Sequence, residues 1–92
     1  MAVYVVLATA PSAQLDTAIR DQFPGDNMYP LGPQQWLIST VDPRLTSTIS
    51  DALGITNGGV GTTAVVFQIA SPGWGWHAQA LWDWLKIKGV NA

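Results

Sequence analysis

Apolar positions along this chain recur with two periods, and the switches between them mark its elements. Tyr4, Val5, Val6 and Leu7 form an unbroken β-branched and aromatic run, apolar on both faces, which predicts a central strand covered on at least one side. Pro11 and Ser12 suit a helix start, and Leu15, Ala18, Ile19 and Phe23 then line one helical face. Asp16 and Arg20 lie one turn apart on the other face. Pro24 and Gly25 end this helix, since proline cannot continue it and glycine accepts a left-handed turn. Asn27 to Leu31 and Gln35 to Thr40 read as two short strands, with Gly32 and Pro33 as the hairpin signal between them and Trp36 and Ile38 on one face.

Asp42 followed by Pro43 has the chemistry of an N-cap and first-turn pair. A second helix is therefore predicted from there, with Leu45, Ile49, Ala52 and Leu53 on its apolar face and Gly54 closing it. Ile55 to Thr63, with Gly58, Gly59 and Gly61, reads as a mobile connector. Ala64 to Ala70 resumes as a strand with Val65, Phe67 and Ile69 on one face, broken by Ser71, Pro72 and Gly73. A last helix is predicted from about His77 to Lys88, with Leu81, Trp84, Leu85 and the stem of Lys88 on one face and Gly89 beyond its end. The order implies an α+β fold: a ferredoxin-like β-α-β-β-α-β sandwich of four antiparallel strands under two helices, with an extra C-terminal helix. Residues 1–92 suffice for a single core of this kind, and no internal repeat divides them.

Composition adds a constraint on the surface. Charged residues are 11% of the chain against 48% hydrophobic, and glutamate is absent. So little charge cannot coat a small monomer in the usual way, which points to a homo-oligomer or a tightly held protein partner. Arg20, Arg44, Lys86 and Lys88 are the only cations and the net charge is −2, so no basic stripe exists to track duplex nucleic acid. With no cysteine there is neither disulfide nor thiolate chemistry, which suits the cytoplasm. The apolar opening from Ala2 to Ala10 is far shorter than the ~20 residues of a membrane-spanning helix, so no membrane association is expected.

Candidate chemistry is sparse. The glycine-rich connector follows a helix and lacks the lysine of a phosphate-binding loop. The six aspartates, Asp16, Asp21, Asp26, Asp42, Asp51 and Asp83, stand apart at helix-surface, turn or capping positions, while the strand ends carry Thr9, Thr40 and Ala70. That pattern predicts no metal site, no cofactor and no paired acid and base. His77 is the one histidine and makes no triad; capping the last helix or packing against Trp74 or Trp76 is its expected role. Four of the five tryptophans, Trp74, Trp76, Trp82 and Trp84, crowd the C-terminal part. Trp84 shares a face with Leu81 and Leu85, whereas Trp82, about 100° around the helix from Leu81, falls at the margin of that face. Trp74, Trp76, His77 and Trp82 are therefore the candidate partner-binding residues.

The third strand, Gln35-Trp36-Leu37-Ile38-Ser39-Thr40, and the tail, with Val65-Val66-Phe67-Gln68-Ile69, Gly73-Trp74 and Leu81-Trp82-Asp83-Trp84-Leu85-Lys86, carry a family resemblance. They resemble the SinR-like proteins and, more distantly, the small subunit of CRISPR spacer acquisition and the GhoS antitoxin ribonucleases. The resemblance implies a ferredoxin-like homodimer, in some relatives with a metal-dependent nuclease site using an aspartate at the end of the first strand. Here that position reads Val6, Leu7, Ala8, Thr9, with no acid. The expectation is thus a non-enzymatic, homodimeric protein-interaction module. The alternatives are a divergent metal-dependent ribonuclease or antitoxin-type nuclease, and a small phage-type inhibitor, such as an anti-CRISPR, of a host defence complex.

Overall fold

The computed structural model describes residues 1–70 and 75–90. β1 (Ala2–Ala8) leads into α1 (Ala13–Gln22), a single 3-10 turn, the hairpin of β2 (Met28–Gly32) and β3 (Gln35–Thr40), then α2 (Thr46–Leu53), β4 (Ala64–Ile69) and α3 (Gln79–Ile87). The strands form one sheet in the order β2-β3-β1-β4, antiparallel at every step. The fold is α+β, as the patterning predicts.

Because side chains alternate along a strand, β1 feeds two cores. Tyr4 and Val6 face α1 and α2, packing with Leu15, Ile19 and Phe23, with Ile49 and Leu53, and with Trp36 and Ile38 of β3. Val3 faces the other way and joins Leu37 beneath Leu81, Trp84 and Leu85 of α3 and Val90 just beyond it. The sheet is therefore the middle of three layers. Each fully buried Leu, Ile or Val contributes about 1.5–3 kcal/mol, so the first core, where Leu15, Ile19, Ile38 and Val6 are wholly inaccessible, holds most of the apolar stabilisation.

Local chemistry sets the helix ends. Ser12 Oγ accepts from Leu15 N–H at 3.1 Å and donates to Val60 O at 2.7 Å, so the N-cap of α1 also ties down the glycine-rich connector. That connector is anchored where a mobile one was expected, because Ile55 and Val60 are buried in the first core. Gly54 ends α2 at φ 77°, the left-handed conformation that glycine adopts most easily.

Several boundaries differ from the sequence reading, and β2 takes in Gly32, which was expected in the turn. α2 begins at Thr46 rather than after Asp42, and Leu45 is exposed. Tyr4 is the cause: its hydroxyl donates to Arg44 O at 2.8 Å and accepts from Arg44 N–H at 2.7 Å, while Thr40 Oγ1 donates to Asp42 O. Backbone groups that a first helical turn would use are satisfied from β1 and β3 instead. β4 ends at Ile69. α3 begins at Gln79, two residues after His77, which does not cap it; the N-cap is Ala78, with no side-chain bond.

Candidate functional site

The four residues singled out by sequence are not gathered into one site. Trp74 lies outside the described residues. Trp76 is fully exposed. His77 is exposed as well, with Nε2 3.2 Å from Leu31 O, a contact in which the ring nitrogen donates. Trp82 is half-buried and packs against the second core. The structural anchor is Trp84: its Nε1 donates to Asp26 O at 2.8 Å, its ring meets Tyr29 at 6.1 Å between centroids, and the Lys88 ammonium lies 5.6 Å from the ring centre. Buried Lys88 thus follows the predicted apolar face of α3 with its stem while its charge rests on an aromatic ring.

Catalytic constellations are not assembled among the described residues. No three of the His, Asp, Glu or Cys side chains come together in a way that could hold a metal ion. A cavity of about 460 Å³ beside α1 is lined by Ala13, Gln14, Thr17, Ala18 and Asp21, a single carboxylate without a base. Asp16 has its pKa lowered by the hydrogen bond from Arg20, then by that from Trp36, with burial opposing both. Its two oxygens are committed to those donors. Thr9, Thr62 and Thr63 share hydroxyl hydrogen bonds at one end of the sheet with no acid or imidazole among them.

What sequence reasoning missed is a surface beside β4. Val3, Val5 and Leu7 are directly opposite Ile69, Phe67 and Val65, so these six share the sheet face on which α3 packs. α3 covers Val3 and reaches Ile69, but Phe67 is 56% exposed, Val65 47% and Leu7 36%. Among the described residues the strip therefore runs only partly covered to the margin of the sheet. The alternation of Val65, Phe67 and Ile69 was visible in the sequence; that its face would stay bare was not.

Among the described residues the margin itself is open. Thr9 N–H donates to Thr63 O at 3.0 Å, in the register that sets Ala8 opposite Ala64. Hydrogen-bonded positions alternate in an antiparallel ladder, so Val65, Phe67 and Ile69 direct their backbone groups to β1, and Ala64, Val66 and Gln68 direct theirs outward. Among the described residues no strand lies on that outer side. A groove of about 390 Å³ runs along it, walled by Thr46, Ser47 and Ser50 of α2 and by Thr56, and none of its lining residues is charged.

The opposite margin is blunted. β2 carries Pro30, which has no N–H, and its register shifts between Pro30 and Gly32. Leu31 O is engaged by His77. Proline and register irregularity are devices by which edges avoid pairing with other chains, and β4, Ala-Val-Val-Phe-Gln-Ile, has no proline, no charge and no register shift in its pairing with β1. No family model, no curated protein and no solved structure matches this chain.

Proposed function

We propose that the chain is a ferredoxin-like, non-enzymatic protein-interaction module that works as part of an assembly, with the outer edge of β4 and the strip of Leu7, Val65 and Phe67 as its contact surface. The observation that carries this reading is the unguarded, uncharged edge of β4 lying directly beside exposed apolar side chains. An edge strand of this kind recruits another backbone, and the apolar strip supplies the burial that makes the recruitment specific. The strand order β2-β3-β1-β4 supports the ferredoxin-like assignment, and the SinR-like resemblance enters for fold and dimerisation alone. Trp76 and Trp82, with His77 between them in the chain, remain candidate auxiliary contacts, together with Trp74. A cysteine-free chain suits the cytoplasmic setting that this proposal includes.

Affinity capture on the immobilised chain tests the reading. The native protein is expected to retain a protein partner, its own copy or another, that Phe67→Lys loses, while Phe67→Lys keeps the native circular dichroism because Phe67 is exposed. An identical set of captured proteins would overturn it. So would cleavage of RNA by the pure protein with Mg²⁺ or Mn²⁺ that is lost on substituting an aspartate.

A further inference from the structure

We infer that the occupant of the β4 edge is a second copy of this chain, paired β4 to β4 about a two-fold axis through Val66 to make one continuous eight-stranded sheet. This inference rests on the interaction-module reading above and names its partner. The outward backbone groups belong to Ala64, Val66 and Gln68, as the alternation fixed by Thr9 and Thr63 requires. An antiparallel copy can meet them in few registers. With the axis at Val66, Val66 faces the partner's Val66 and Ala64 faces the partner's Gln68, so every outward N–H and C=O of the three residues is matched by another in a hydrogen-bonded pair. Shifting the register by two residues leaves one residue of each strand unmatched, and shifting it by one sets outward-facing groups against residues whose groups are already committed to β1.

The same register is self-complementary in its side chains. Val65 falls opposite the partner's Phe67 as a non-hydrogen-bonded pair, the arrangement in which cross-strand side chains approach most closely. Both are on the face that α3 leaves bare, so two half-covered strips become one stripe that includes both copies of Leu7. On the other face each strand enters the partner's groove, whose lining of hydroxyls and apolar groups brings no like charge across the axis. Neutrality thus matches neutrality: a charged partner segment would desolvate its charge against a surface with nothing to pair it. One edge strand from each copy forms the contact, where a standard interface buries ~800 Å² per partner, so dimerisation is expected to depend on concentration.

Light scattering on a dilution series of the native chain is expected to show a mass rising from 9.8 kDa to twice that value. Val65→Lys is expected to hold the monomer mass with native circular dichroism. Val66→Pro gives a second disruption, since proline at 66 removes only an outward donor and leaves the β1 ladder intact. The chain has no cysteine, so register can be read directly: a mixture of Val65→Cys and Phe67→Cys chains should form disulfides faster than either variant alone. A native chain that stays monomeric, a Val65→Lys variant that still dimerises, or cross-linking without preference for the mixture would overturn the inference. A monomeric chain that still loses a captured partner on Phe67→Lys would overturn self-pairing while leaving the interaction-module reading standing.

Discussion

Asp16 serves two donors from different parts of the chain. Its Oδ2 accepts from Arg20 Nε at 2.9 Å and its Oδ1 from Trp36 Nε1 at 3.1 Å. The first bond joins neighbours one helical turn apart and is legible in the sequence. The second joins α1 to β3 across 20 positions and is not, because only the folded sheet brings the indole of buried Trp36 under the helix. These donors lower the pKa of Asp16 from its ordinary 3.8, Arg20 more than Trp36. A depressed folded-state pKa means that the stabilisation is fully present above the unfolded value and is lost as pH falls through the folded one. Denaturant unfolding of the native chain and Asp16→Asn should therefore differ above about pH 4 and converge in stronger acid. The difference should be small, about 0.5–1 kcal/mol, because the pair is well exposed to solvent. A gap that widened on acidification would contradict this assignment.

At the scale of the element, the stop of α2 and its start have different origins. Gly54 stops the helix at φ 77°, where an added Cβ would meet only Val60 Cγ1 at an ordinary 3.7 Å. The cost of Gly54→Ala is therefore conformational rather than steric, about 1 kcal/mol, and Gly54→Asn should cost less because asparagine tolerates the left-handed region. A midpoint of denaturation for Gly54→Ala equal to the native value would refute the capping role. This stop was readable because glycine after an amphipathic run is a local signal. The start lies beyond the local signal of Asp42 and Pro43 because Tyr4, 40 positions before Arg44, takes both of its backbone groups. The same limit moved α3: nothing local announces that His77 reaches Leu31 rather than capping the helix.

At the scale of the molecule, two cores share one sheet but are unequal. The first links α1, α2 and the strands; the second hangs on α3, with Trp84 as its largest anchor. Trp84→Ala should cost about 3–5 kcal/mol and release α3 preferentially. Hydrogen exchange should then lose protection in Gln79–Ile87 while α1 and α2 keep theirs. Uniform loss throughout the chain would show instead that the two cores unfold as one.

By itself the sequence determined the element order, most boundaries to within a few residues, the face of α3 that packs inward and the poverty of reactive groups. Those properties depend on periodicity, caps and composition, which act between neighbours in the chain. Only the tertiary structure decided which faces are covered and which edge is open. Val65 and Phe67 alternate as a covered strand would, and β2 and β4 both read as ordinary strands. β4 became the exposed margin because β1 took one of its sides and nothing among the described residues took the other, while α3 settled on Val3 and Leu37 and left the strip beside Phe67 bare. Burial is a property of residues distant in sequence meeting in space, so the contact surface could be seen only once the sheet had been assembled.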